Sequence, residues 1–109
     1  MKTNPLLKQI VGLAEEKKAE DLVTLNISKI TSLSDYFVIC SAKNLIQVKA
    51  IADNIKDNIT EKPFRTEGYQ NANWIIIDYV DIVVHIFFEE TREYYDLERL
   101  WFDAKTVKI

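Results

Sequence analysis

Apolar residues near the start of the chain recur at helical spacing: Leu6, Leu7, Ile10, Val11 and Ala14 share one face, and Glu15–Lys18 is polar. Asn4 offers a side-chain acceptor for the first free N–H groups, and Pro5 has its φ preset for a first helical position. A helix is therefore expected to begin there. The period then shortens to two. Across Asp21–Ile27, Leu22, Thr24 and Asn26 alternate with Val23, Leu25 and Ile27, as in a half-buried strand. A polar connection (residues 28–35) leads into Tyr36–Cys40, a run dense in β-formers. Helical spacing returns from about Asn44 to Thr60, where Val48, Ile51, Ala52, Ile55 and Ile59 form a stripe with Lys49, Asp53, Lys56 and Asp57 outside it. Pro63 closes that helix, and a strand is expected near Phe64–Tyr69. Two further strands, Asn73–Tyr79 and Ile82–Phe88, flank Val80–Asp81, which reads as a tight hairpin turn. Polarity rises after Phe88. Asp96 then stands as the N-cap of a short final helix containing Leu97, Leu100 and Trp101.

The order α–β–β–α–β–β–β–α implies an α/β domain with a mixed sheet of about five strands flanked by helices. The β–α–β unit over residues 36–69 favours a parallel pairing, because a crossover returns the chain in its original direction.

A two-residue hairpin loop pairs Tyr79 with Ile82, Ile77 with Val84 and Ile75 with Ile86. Those six residues form an almost wholly aliphatic face, suited to carrying the helices. The other face holds Trp74, Ile76, Asp78, Val83, His85 and Phe87. A longer loop would mix the two sets, so their clean segregation supports the tight turn. Two readings compete for the mixed face. Another helix covers it, with His85 donating to a backbone carbonyl or to Asp78; or it stays open as a binding patch, with Trp74 and Phe87 as anchors and Asp78 and His85 giving specificity. The small number of helices favours the open patch.

Composition sets the scale. The chain has 109 residues, 48% hydrophobic and 11% aromatic, enough for one core, so residues 1–109 are expected to form a single domain with its core at about 5–104. No apolar run approaches the ~20 residues that span a bilayer, and the MKTNPLLKQ start is too short and polar for a secretory signal. A lone cysteine excludes an intramolecular disulfide and fits a reducing cytosol, so a cytoplasmic location is expected. The net charge of −3 is unevenly spread. Residues 1–77 carry 10 Lys/Arg against 9 Asp/Glu, whereas residues 78–103 carry eight carboxylates against Arg92 and Arg99. That acidic segment repels phosphate and suits a basic partner, so little direct nucleic-acid binding is expected.

Catalytic chemistry finds few of its parts. One Cys and one His, with no C-x-x-C or H-x-x-x-H spacing, do not suggest a zinc site. Cys40 and His85 could meet across strands as a thiolate–imidazole pair, but Cys40 sits inside an apolar run, where an inert buried thiol is the commoner state. Gly12 and Gly68, the two glycines present, cannot make a G-x-G-x-x-G turn. Asp78 and Asp81 flank a hairpin and could hold Mg²⁺, yet nothing nearby cradles a phosphate. No cofactor, metal or catalytic residue is expected.

The stretches Asp35–Ala42, Gln47–Asp53, Glu67–Tyr69, Trp74–Asp81, Val83–Phe87 and Glu89–Trp101 resemble, in order, those of the ribosomal silencing factor (Iojap/RsfS) family. The resemblance implies a nucleotidyltransferase-like α/β fold without transferase activity. It implies docking on the large ribosomal subunit through the ribosomal protein numbered fourteen in the universal scheme, obstruction of small-subunit joining, and lowered translation under nutrient limitation. Organellar relatives act in large-subunit assembly, and members form homodimers when free. Carried over residue by residue, the partner-binding surface is Trp74, Ile76, Asp78, Val83, His85 and Phe87, with Glu67 and Tyr69 nearby. The chain departs from the family pattern at Val80, where glycine or alanine is common, at Phe88, where a second histidine is frequent, and at Ala42 and Ile46, where glycine and arginine are commoner.

Overall fold

The computed structural model describes residues 4–101 and 103–107; the first three residues of the polar N-terminal stretch lie outside them. Helix α1 (Pro5–Glu16) starts as its sequence dictates: Asn4 Oδ1 accepts from the N–H groups of Leu6 and Leu7 at 2.9 and 3.3 Å. It is followed by strands β1 (Glu20–Asn26) and β2 (Tyr36–Ala42), helix α2 (Leu45–Asn58), and strands β3 (Arg65–Glu67), β4 (Trp74–Asp78) and β5 (Ile82–Phe88). Helices α3 (Glu89–Tyr95) and α4 (Leu97–Leu100) and a two-residue strand, β6 (Lys105–Thr106), complete the described chain. Asn44 caps α2 through a 2.8 Å bond from Gln47 N–H. The helix stops at Asn58, five residues before Pro63, because Ile59 turns extended to bury its side chain.

The strands form one mixed sheet in the order β3-β4-β5-β2-β1-β6. It has six strands rather than about five; β6, added antiparallel to β1, is the extra one. Parallel pairing does occur, but between β2 and β5. Strand β3 points the same way as β2 yet lies at the far edge, paired antiparallel to β4. Helix α2 thus crosses over β5 and β4 before the chain re-enters the sheet, and the hairpin fills the gap that the crossover leaves.

The hairpin register is the one that the side-chain alternation requires: Ile75 faces Ile86, Ile77 faces Val84, and Asp78 faces Val83. The aliphatic face is buried beneath α1 and α2 with Leu7, Ile10, Val48, Ile51 and Ile55. Burying this many large aliphatic side chains, at about 1.5–3 kcal/mol each, is the main stabilising term. The opposite face carries a second, smaller core of Leu25, Ile27, Ile39, Phe87 and Leu97, covered by the segment that follows β5.

Candidate functional site

The mixed face is divided in two. Its half toward β1 is roofed by α3, α4 and the approach to β6, with Leu97 buried and Trp101 and Ala104 partly so. A nearly buried arginine ties this roof down. Arg92 makes a two-pronged bond to the Glu98 carboxylate at 3.0 and 3.1 Å, while its Nη1 donates to Ser41 Oγ at 3.0 Å and to the Glu20 carbonyl at 3.4 Å. Such charge-assisted, bidentate contacts hold orientation as well as position. Asp96 is not the N-cap expected for α4: it is left-handed (φ 47), makes no side-chain cap bond, and forms the corner between α3 and α4.

The half toward β3 is open. Here lies a hollow of about 490 Å³ whose floor and walls include Phe37, Ile76, Asp78, Val83 and His85. Three apolar side chains stand exposed on its rim: Leu33 (83%), Phe64 (74%) and Val80 (55%). Large apolar groups placed together in water mark a docking surface more often than single exposed ones do.

The turn at the rim is held under strain. Val80 takes φ 75, unfavourable for a β-branched residue. Asp81 N–H returns to the Tyr79 carbonyl at 3.0 Å, closing a γ-type turn in place of the type I′ geometry usual for a two-residue hairpin. Surrounding bonds enforce it: Asp78 Oδ1 accepts from Val80 N–H at 2.8 Å and Ser34 Oγ donates to the Val80 carbonyl at 2.9 Å. The Asp81 carbonyl also accepts from the N–H groups of Asp35 and Tyr36. The polar connection at residues 28–35 is therefore a buttress for the hairpin, which its sequence did not reveal.

Polar groups around the hollow are few and placed. The other Asp78 oxygen accepts from Arg65 Nε at 3.3 Å, and Arg65 in turn pairs with Glu67 at 2.9 Å. His85 is 5% exposed. Its Nδ1 accepts a 3.1 Å hydrogen bond from Trp74 Nε1, and Phe37 meets its ring edge-to-face at 4.6 Å. Burial pushes its pKa down to about 4, against the opposing pull of the Asp78 carboxylate. The imidazole is therefore neutral at physiological pH and, with Nδ1 accepting, carries its proton on Nε2.

Ile76, Asp78, Val83 and His85 thus come together in the hollow as the alternation predicts, and Glu67 is joined to Asp78 through Arg65. Trp74, expected as an anchor of the open patch, does not line the hollow: it packs against the roofed core beside Tyr95 and reaches the site only by donating to His85. Two further residues of the expected surface lie elsewhere. Phe87 is fully buried beneath the C-terminal roof, stacked on Trp74 at 4.9 Å, so it supports the site from behind and anchors no partner. Tyr69 lies on the helix side: Gly68, at φ 79, breaks the strand alternation, and the Tyr69 hydroxyl donates to Asp53 on α2 at 3.1 Å. The Cys40–His85 pair also fails to form. Ile39, not Cys40, is opposite His85, and Cys40 faces the other core, where burial pushes its thiol up to about 12. Leu33, Ser34, Phe37, Phe64, Arg65 and Val80 also line the hollow and were not among the residues expected there. Exposed leucine and phenylalanine beside turn residues were the available signal.

A family model described as "Ribosomal silencing factor during starvation" matches residues 1–109. The chain belongs to the ribosomal silencing factor family. It is 42% identical to the ribosomal silencing factor RsfS of Halalkalibacterium halodurans, over 100% of this chain and 96% of that protein. A crystal structure of a protein from Chromobacterium violaceum superposes with a TM-score of 0.89 at 28% identity, covering 100% of this chain and 92% of that one. A more distant relative, at 27% identity over 94% of this chain, is the mouse protein named "Mitochondrial assembly of ribosomal large subunit protein 1", of which the chain spans half. Membership makes this a ribosome-associated translation-silencing protein, of a kind not known as enzymes. No helix among the described residues is long and apolar enough to cross a membrane.

Proposed function

We propose that this ribosomal silencing factor docks through the open hollow onto the ribosomal protein numbered fourteen of the large subunit, and by its bulk prevents the small subunit from joining. The observation that carries this reading is the division of the sheet face: a roofed half, and an open half with an apolar floor, a rim of exposed Leu33, Phe64 and Val80, and carboxylates at its edge. An interface core of that kind slows dissociation, while the acidic segment over residues 78–103 speeds encounter with a basic ribosomal protein in a salt-dependent way. Obstruction needs no turnover. Inhibition therefore scales with stoichiometry, represses translation in the cytoplasm under nutrient limitation, and is relieved by dissociation. As the family resemblance implies, the free protein is expected to be a homodimer, which light scattering reads directly.

The test is co-sedimentation with isolated large subunits, together with the yield of reassociated ribosomes. Wild type is expected to bind and to lower reassociation. Leu33→Asp changes a side chain that is 83% exposed, and Ile76→Lys places a charge in the hollow; both are expected to lose binding while circular dichroism is unchanged. Wild-type-like binding by both variants would refute the docking surface. The name of the mouse relative favours a second reading, in which the same surface serves large-subunit assembly. Depletion would then lower the amount of free and joined large subunits, whereas pure silencing leaves that amount unchanged.

A further inference from the structure

The hollow contains one polar group that the fold itself leaves unused. His85 lines it, its Nδ1 is taken by Trp74, and its Nε2 is buried with no protein hydrogen-bond partner among the described residues. A buried polar group of this kind calls for a reason, because an unmade hydrogen bond costs stability that an apolar side chain in its place would not. The neighbouring wall is Phe37, which is half-buried, meets the His85 ring edge-to-face at 4.6 Å and packs on Trp101 at 5.2 Å at the margin of the smaller core.

We propose that the His85 Nε2–H is the specificity donor of the docking hollow, bonding to a carbonyl-type oxygen of the polypeptide segment that enters it. This rests on the docking reading above and adds what the partner must bring: an apolar side chain for the space between Ile76 and Val83, with a backbone or carboxamide oxygen beside it. The donor has already lost its water in the free protein, so the new bond forms without the usual desolvation cost. A segment that fills the hollow but carries no acceptor leaves Nε2 orphaned and is rejected. The neutral imidazole keeps this bond available throughout the physiological pH range.

Three variants of the full chain are compared for binding to isolated large subunits. His85→Phe keeps a ring and removes both the donor and the acceptor that Trp74 uses; His85→Gln restores an amide N–H near the position of Nε2, so the difference between the two reads the donor; Ile76→Lys blocks the hollow. Expected are a roughly ten- to hundredfold loss of affinity in H85F, recovery to within about threefold of wild type in H85Q, and no binding by I76K. Equal losses in H85F and H85Q would assign His85 a shape role and overturn the donor. Wild-type binding by H85F beside a dead I76K would overturn the donor and leave docking intact. Wild-type binding by both would overturn docking itself. One measurement needs no variant: with histidine-labelled wild type bound to purified ribosomal protein fourteen, the Nε2 proton should shift downfield and become protected from exchange. An unmoved resonance in the complex would refute the bond even if H85F failed to fold.

Discussion

Replacing Gly68 with alanine adds one methyl group to an exposed residue, yet it should be among the most damaging changes available to this chain. Gly68 sits at φ 79, where an L-residue is disfavoured by about 1–2 kcal/mol. The added Cβ would also overlap the carbonyl oxygen of Trp74 and approach its carbon at 3.1 Å. That neighbour is backbone and cannot rotate away, so the start of β4 must move, at a cost of roughly 1–3 kcal/mol typical of overpacking. The combined loss is about 2–5 kcal/mol, and for a domain of this size each kcal/mol lowers Tm by about 4–8 °C. Gly12 provides the matched control. It lies within α1 with nothing within 4 Å of an added Cβ, so Gly12→Ala should stabilise by about 0.5–1 kcal/mol. Thermal unfolding followed by circular dichroism measures both. A Gly68→Ala protein melting within a few degrees of wild type, or two alanine variants shifting in the same direction, would refute the geometry assigned to the β3–β4 connection. The same displacement should move Trp74 and weaken docking, linking a turn glycine to the hollow.

His85 should make stability depend on pH. Its folded pKa, about 4, lies below its ordinary 6.5, so between those values the unfolded chain holds more protons. The stabilisation is complete above about pH 6.5, falls as pH drops toward 4, and amounts to roughly 3 kcal/mol in full. His85→Phe should flatten the part of the profile between pH 6.5 and 5, and an unchanged slope there would contradict the buried neutral imidazole. Arg92→Ala should cost about 1–3 kcal/mol by removing the bonds to the buried Ser41 hydroxyl and the partly exposed Glu98 carboxylate. It should also make residues 89–107 the first site of limited proteolysis; unchanged protection would show that Arg92 does not hold the roof.

The elements differ in how openly the sequence declares them. A period-two pattern is unforgiving: a one-residue slip would have mixed Ile75, Ile77, Val84 and Ile86 with Asp78 and His85, so the hairpin register could be read directly. Helix α1 was equally plain, since Asn4 and Pro5 mark its start chemically. Helix α3 was not, because Glu89–Tyr95 buries no residue and so has no apolar period; its position depends on Arg92 reaching Ser41 and Glu20, far away in sequence. Strand β6 is two exposed residues with no pattern of their own. Phe87 and Tyr69 were misplaced for a related reason. What roofs the one, and the sign of φ that diverts the other, are properties of the assembled sheet and the backbone, which side-chain alternation does not encode.

The β2–β5 pairing also sets the order in which the molecule can come into being. Residues 36–42 find their central neighbours only at residues 82–88, so the middle of the sheet cannot close until the hairpin has been synthesised. Non-local pairing of this kind is slow to form, and it leaves earlier segments waiting with apolar stripes uncovered. The hollow draws on residues from Leu33 through His85, and its roofed neighbour needs the segment after that. A nascent copy still being translated therefore has no finished hollow, and on the docking reading proposed above the capacity to silence arrives only with a nearly complete chain.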